Sequence, residues 1–300
     1  MRIKDTKANK IFMLIALSVV MILIFSSKFS KRETMEQTIN YQKGVVIEAL
    51  SANINIWVDK NLRDAKVVYA TKDSNMLEIY VDSKGYTIMK EKQKNKFFNI
   101  AFDNERPTIS LYLPSTEIGD LELKTLSGAI ELFSSFDTNN FTINSMSGNV
   151  GLLDISAKET LKIKTISSNI SLDIANAPLI SLYSISGNIE IVNINSTDVS
   201  IASTNGSIDI DAIKTDKLKV SSTSSDVELD LIDAKNEISV STVSGDLVLK
   251  VADKKYKYKI NTTSGDILIN NNAFEKQYST TEGVPFNVKS VSGEITINSL

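Results

Sequence analysis

The chain has 300 residues, 42% hydrophobic and 23% charged, with 33 basic against 36 acidic side chains. That balance excludes a disordered or collagen-like protein. There is no cysteine and no histidine, which excludes disulfides, thiol nucleophiles, Cys/His zinc sites and every catalytic scheme with imidazole as base.

At the N-terminus, Ile11 to Phe25 reads IFMLIALSVVMILIF, broken only by Ser18; with Ser26 and Ser27 it gives 17 residues between Lys10 and Lys28. This is the short end of the roughly 17–25 residues that span a bilayer. A cleaved signal peptide has a shorter apolar region and a small-x-small cleavage site, and the following Ser-Lys-Phe-Ser-Lys-Arg supplies none. The weaker readings are that removed signal and a buried soluble helix. The expectation is therefore a cytoplasmic tail over 1–10, a transmembrane helix in the lipid bilayer over 11–27 and a linker over 28–44. The chain would be a single-pass protein of the cell membrane, with its large domain extracytoplasmic. Arg2, Lys4, Lys7 and Lys10 precede the run and Lys28, Lys31 and Arg32 follow it, so the charge bias that sets orientation is slight. Leaving out the five basic residues and one acid up to Lys28, the remainder carries a net charge of −7. No nucleic-acid partner is expected with that sign.

Beyond the linker a unit recurs: apolar-x-apolar-x-[Ser/Thr]-x-Ser-Gly-x-apolar-x-apolar. It appears as LELKTLSGAIEL from Leu121, FTINSMSGNVGL from Phe141, LKIKTISSNISL from Leu161 and ISLYSISGNIEI from Ile180. It returns from Val199, Leu218, Ile238 and Tyr258 and, after a longer gap, as FNVKSVSGEITI from Phe286. An isolated relative, VVIEALSANINI, starts at Val45. Apolar and polar residues alternate on both sides of the Ser-Gly, the period of a strand with one buried face. Two short strands per 19–20 residues cannot close a core alone, but stacked coils bury continuous aliphatic ladders. The fold class is all-β: a parallel β-solenoid (β-helix) of about nine coils over 121–300, with an irregular β cap over 45–120. The segment Asn270–Gly283, with Phe274 and Tyr278, either folds over the far end or leaves an open strand edge. Gly at the corner suits a positive φ or a close backbone approach. Where it is replaced, by Ala52, Ser168 and Ser225, the next residue is Asn53, Asn169 or Asp226, types that tolerate left-handed backbone.

With the coil assumed, outward residues fall into columns. The first strand presents Lys124, Lys162, Lys164, Lys219, Lys259 and Lys289, a candidate partner face for anionic wall polymer or lipid head groups. The second presents Glu131, Glu190, Asp209, Asp226, Glu228, Asp246, Asp266 and Glu294. Calcium at Asp226, Glu228, Asp246 and Asp266 is disfavoured, because a flat strand face does not converge six to eight oxygens. The hydroxyls of Thr125, Ser145, Thr165, Ser184, Ser203, Ser222, Thr242, Thr262 and Ser290 are expected to bond to one another at the corners rather than act as nucleophiles. The column Leu126, Met146, Ile166, Ile185, Thr204, Thr223, Val243, Thr263, Val291 would face out under strict alternation; a bend at the corner is expected to leave it inward or half-buried. Trp57 is assigned to the core of the cap. Polysaccharide-processing solenoids need paired carboxylates with aromatic or Arg platforms. Between Leu121 and Ile269 there is no arginine and few aromatics, so catalysis, a metal and a cofactor are not expected.

The Ser-Gly-[Asp/Asn]-[Ile/Val]-x-[Leu/Ile] units and the preceding Ser110–Pro114 (SLYLP) resemble the putative-adhesin β-strand-repeat family, a bacterial domain of unknown function, over about Val45 to Leu300. The resemblance implies surface attachment and assigns no active site. Members with one N-terminal span look like envelope proteins of Gram-positive bacteria. The functional expectation is a non-catalytic, membrane-anchored adhesion, scaffold or envelope-stress interaction module whose partner is an envelope protein or anionic wall polymer. The alternative is a carbohydrate-active protein.

Overall fold

The computed structural model describes residues 33–71, 76–93 and 106–300. The transmembrane helix expected over 11–27 lies outside them; among the described residues no helix is long and apolar enough to cross a membrane. The regular elements are β-strands joined in one continuous sheet.

Parallel, in-register pairing of equivalent residues builds the rod. Leu121 pairs Phe141, Phe141 pairs Leu161, and the series continues through Ile180, Val199, Leu218 and Ile238. Each alternating apolar residue thus stacks on its counterpart about 4.8 Å away. Leu121, Leu123, Ile130 and Leu132 are all at most 3% exposed, and each such side chain stabilises the rod by roughly 1.5–3 kcal/mol. The coils have more sides than the two expected. Val150–Thr165 and Ile170–Ser184 are continuous strands of 16 and 15 residues. A further inward row, Ile155 and Ala157 in one coil and Ala175 and Ala177 in the next, lies between the two expected strands.

Both ends depart from chain order. Ile238 pairs Phe286, and Phe286 pairs Tyr258, so the final repeat is inserted beneath the one before it. The same happens at the other end, where Gly44–Ala49 lies between Tyr86–Glu91 and Asp120–Thr125. The parallel rungs therefore start at Thr87, Val45 and Leu121 and finish at Ile238, Phe286 and Tyr258. Antiparallel strands cover the outermost rungs: Leu77–Val81 and the Ala65–Thr71/Glu33–Ile39 pair at one end, Asn272–Phe274 and Gln277–Ser279 at the other. Residues 28–44, expected to be a linker, thus contain the cap strand Glu33–Ile39. At the far end the open edge does not occur. Asn270 and Asn271 take positive φ (48° and 63°) to turn the chain back, and Phe274 packs on Tyr278 with ring centroids 4.4 Å apart. Trp57 is half-buried rather than fully core and stacks on Phe133 at 4.0 Å.

The corner works differently from the expectation. The hydroxyl oxygens of Thr125, Ser184, Ser203 and Ser222 accept the backbone N–H three residues on, at 2.8, 2.9, 2.9 and 3.1 Å. They close their own turns, and a hydroxyl-to-hydroxyl bond occurs between Ser145 and Ser168 at 3.0 Å. The glycine meets both expected demands: a Cβ at Gly148 would lie 1.7 Å from the Gly128 carbonyl oxygen of the adjacent rung, and Gly245, Gly265 and Gly293 take positive φ (140°, 142° and 136°). Asn53, Asn169 and Asp226 do not adopt positive φ. Their side-chain oxygens instead accept the backbone N–H of Ala129, Asn188 and Asp246, at 3.0, 3.0 and 2.8 Å. Gly148→Ala should therefore cost about 1–3 kcal/mol or more. Gly151→Ala, where a Cβ meets nothing within 4 Å, should stay within about 0.5 kcal/mol of wild type. Urea unfolding of the two variants checks this.

At the N-terminal end one side chain stands in for backbone. The N–H groups of Leu50, Ser51 and Ala52 donate to the Glu91 carboxylate at 2.6, 2.8 and 3.0 Å, and the Ser51 hydroxyl donates at 2.9 Å. In later coils carbonyls fill this role; Met146 N–H, for example, donates to Thr125 O. Hydrogen bonds to a charged acceptor contribute about 1.5–3 kcal/mol each, so Glu91→Ala should destabilise by about 3 kcal/mol or more. Glu91→Gln, which keeps one acceptor oxygen, should recover part of the loss in the same thermal melt.

Candidate functional site

The Ser/Thr-capped turn leaves the residue after the hydroxyl at its tip. Leu126, Met146 and Ile166, expected inward or half-buried, are 48%, 48% and 43% exposed. They lie on successive rungs, tied by Ser147 N–H to Leu126 O and Ser167 N–H to Met146 O at 3.0 and 2.9 Å. Half-buried Leu50 and Ile185 extend the column on either side. It then becomes polar at Thr204 and Thr223, and returns at Val243 and Val291, each 50% exposed. Beside the aliphatic stretch runs a groove of about 570 Å³, lined by Leu50, Leu126, Met146, Ile166, Tyr183, Lys124 and Lys164 among others.

The lysine face exists, but its members are unequal. Lys124 binds Glu48 at 3.3 Å and Glu122 at 3.0 Å, and Lys90 also reaches Glu48 at 3.3 Å. Burial favours the neutral form of both partners, yet the pairing prevails. Lys124 is held above its ordinary pKa by Glu122 and Glu48, and Glu48 below its own by Lys124 and Lys90. Lys162, Lys164, Lys219, Lys259 and Lys289 are exposed. They are not contiguous. Lys162 and Lys164 share a rung two steps from Lys124, Lys219 lies three steps further, and Lys289 and Lys259 sit on the last two parallel rungs. At about 4.8 Å per step, gaps of about 10–14 Å separate the groups. The groove gathers Lys124 and Lys164; Lys219, Lys259 and Lys289 stand apart from it.

On the acidic side, Asp226 and Asp246 are occupied as ladder acceptors: Asp226 takes Asp246 N–H and Asp246 takes Glu294 N–H, both at 2.8 Å. Among the described residues no group of three or more Asp or Glu is placed to hold a metal ion. Burial raises the pKa of Glu131, and burial with help from Asp154 raises that of Asp173. The hydroxyls weighed as nucleophiles, such as Ser145 (4% exposed) and Ser184 (0%), are buried.

Sequence reasoning found the lysine columns but missed Tyr183, Leu50 and Glu48. An aromatic at an outward position of the Ile180 repeat was a readable sign for Tyr183. Nothing local announces that Glu48 pairs with a lysine 76 residues away.

This stack of Ser-Gly-cornered parallel coils defines a solenoid-type β domain. The Toastrack DUF4097 family model matches residues 37–298; the chain belongs to that family, a putative-adhesin domain of unknown function, as the repeat units implied. No curated protein matches it. Among solved structures, a putative adhesin from Parabacteroides merdae is similar at TM-score 0.56 and 11% identity, over 90% of this chain and 97% of the other. A putative lipid binding protein from Parabacteroides distasonis matches at TM-score 0.50 and 17% identity, over 90% and 97%. A putative adhesin from Bacteroides fragilis gives TM-score 0.48 and 14% identity, over 91% and 98%. The first two share the fold.

Because burial raises the Glu131 pKa, its ionised form costs stability. That carboxyl is fully tolerated below the unfolded-state value and penalises the fold as pH rises through the folded-state value. Glu131→Gln should therefore raise the melting temperature at pH 7, and the advantage should vanish as pH falls below about 4, the ordinary glutamate range. Melting curves across that range check it.

Proposed function

We propose that this chain is a non-catalytic, membrane-anchored extracytoplasmic module that works by surface contact, as an adhesion or scaffold element or in an envelope-stress interaction. The observation that carries this reading is the turn edge: three consecutive rungs display bare aliphatic tips beside exposed lysines. Monomeric surfaces seldom expose such contiguous apolar patches without a partner. The apolar run over 11–27 supplies the anchor in the lipid bilayer, and the similar folds of a putative adhesin and a putative lipid binding protein agree with a contact role. Exposed Lys162, Lys164, Lys219 and Lys259 favour an anionic partner, wall polymer or lipid head group, over a neutral glycan; between Leu121 and Ile269 the carbohydrate-active alternative finds no arginine and few aromatics.

The test exploits the absence of cysteine. In intact cells, full-length Glu190→Cys should react with a membrane-impermeant maleimide and fractionate with membranes; reaction only after lysis would overturn the placement. Detergent-solubilised full-length chain should be retained on isolated cell walls in a salt-sensitive manner. Changing Lys162, Lys164, Lys219 and Lys259 to Glu should abolish that retention. Retention unchanged by both salt and charge reversal would exclude the polymer reading.

A further inference from the structure

We infer that the aliphatic edge Leu126–Met146–Ile166 is a docking site for an anionic phospholipid bilayer surface, holding the N-terminal half of the rod against a membrane. The inference deepens the contact role above and rests on the membrane tether proposed there.

Three features place the site on this half of the rod. The aliphatic tips are consecutive here and give way to Thr204 and Thr223 beyond Ile185. One flank carries Lys90, Lys124, Lys162 and Lys164 against Glu48, Glu78 and Glu122, an excess of positive charge. The other flank is neutral: beside the tips stand Ser127, Ser147 and Ser167, followed by Ala129, Asn149 and Asn169. The contrast with the far half is internal to the fold, because the same column of turns there carries Asp226, Asp246, Glu294 and Asp266. Aliphatic tips that enter the acyl boundary, with lysines at head-group level and an outward tyrosine beside them, are the composition that interfacial binding selects. Tyr183, 38% exposed and lining the groove, fills the last part.

Geometry agrees. Glu33, the first described residue, lies in the antiparallel cap at this same end. Only seven residues separate it from Phe25, the end of the apolar run, and a fully extended chain covers at most about 3.3–3.6 Å per residue. A tether of that length delivers this half of the rod, rather than its acidic half, to the bilayer surface.

The test reconstitutes the full chain into vesicles of phosphatidylcholine alone or with phosphatidylglycerol, both containing brominated acyl chains as quenchers. A fluorophore is placed on Ser147→Cys, beside Met146, or on Glu190→Cys as the control. In anionic vesicles the Ser147 label should be quenched several-fold more than the Glu190 label, and the difference should shrink in neutral vesicles. Each lysine near an anionic surface is worth about fivefold in partitioning. Lys162→Gln with Lys164→Gln should therefore weaken the quenching by more than tenfold in docking equilibrium, and Ile166→Asn should weaken it without changing the melting temperature. Equal quenching of the two labels in vesicles that carry the chain overturns the docking site while leaving the tether intact. Failure of the chain to float with either vesicle overturns the tether instead, and soluble chain added to anionic vesicles must then still quench at Ser147 for the docking site to stand. A Ser147 label already shielded in detergent overturns the proposal in favour of a second copy or another part of the chain covering the edge.

Discussion

The rest of this structure depends on one constraint: parallel, in-register backbone pairing at a single rung spacing. Once Leu121 faces Phe141 and Phe141 faces Leu161, each position in the repeat becomes a column along the rod. Whatever a residue does in one coil it must do within about 4.8 Å of its neighbour's copy. Aliphatic columns become the core. The corner column must be nearly free of side chain, because the carbonyl of the adjacent rung already occupies the space, as at Gly148. The column after it becomes a ladder in which each Asn or Asp oxygen takes the N–H of the next rung. These side chains continue the backbone pairing where the turn would interrupt it.

The same constraint makes the ends the hard part of the fold. A stack of parallel strands presents unpaired N–H and C=O groups at both edges, which would recruit other chains. This chain withdraws its first and last repeats from the ends and covers the exposed rungs with antiparallel strands. At one place no strand is available, and the Glu91 carboxylate takes the three N–H groups of the first corner. At the other end, aromatic rings replace aliphatics. Tyr258 contacts Phe286 and Tyr278 at 5.3 and 5.8 Å, so the terminal rung is closed by wide, partly polar side chains that tolerate a half-wet position.

How much of this could be read beforehand follows from which interactions are periodic. Alternation and the 19–20-residue repeat are local and identical from coil to coil, so the parallel stack and the lysine columns were legible. The order of the last rungs was not. Ile238 could pair equally well with Tyr258 or Phe286, and what separates the outcomes is non-local: the turn at Asn270 and Asn271 and the aromatics that seal the end. Besides the longer gap over Asn270–Gly283, the substitution of Tyr256 and Tyr258 for aliphatics at inward positions was a sign that this repeat is terminal. The third inward row around Ile155 and Ala157 was obscured because the stretch between repeats does not keep strict alternation.

The candidate site was half legible for a related reason. Its aliphatic column was recognised, and strict alternation places it outside; the expected bend leaves Leu50 and Ile185 half-buried but not Leu126, Met146 and Ile166. The bend occurs, but the hydroxyl of the preceding residue bonds to the backbone three positions on and pulls the turn shut beneath the aliphatic side chain: Thr125 accepts the Gly128 N–H, whereas Ser145 and Thr165 donate to the carbonyls of Gly148 and Ser168. The bond that stabilises the corner therefore also holds Leu126, Met146 and Ile166 in water. A turn of this kind could carry Ser or Thr at its tip with no loss of backbone geometry, as it does at Thr204 and Thr223. Packing does not require an aliphatic at these positions, and their exposure opposes solubility. The docking proposed above answers both points with a membrane surface outside the chain.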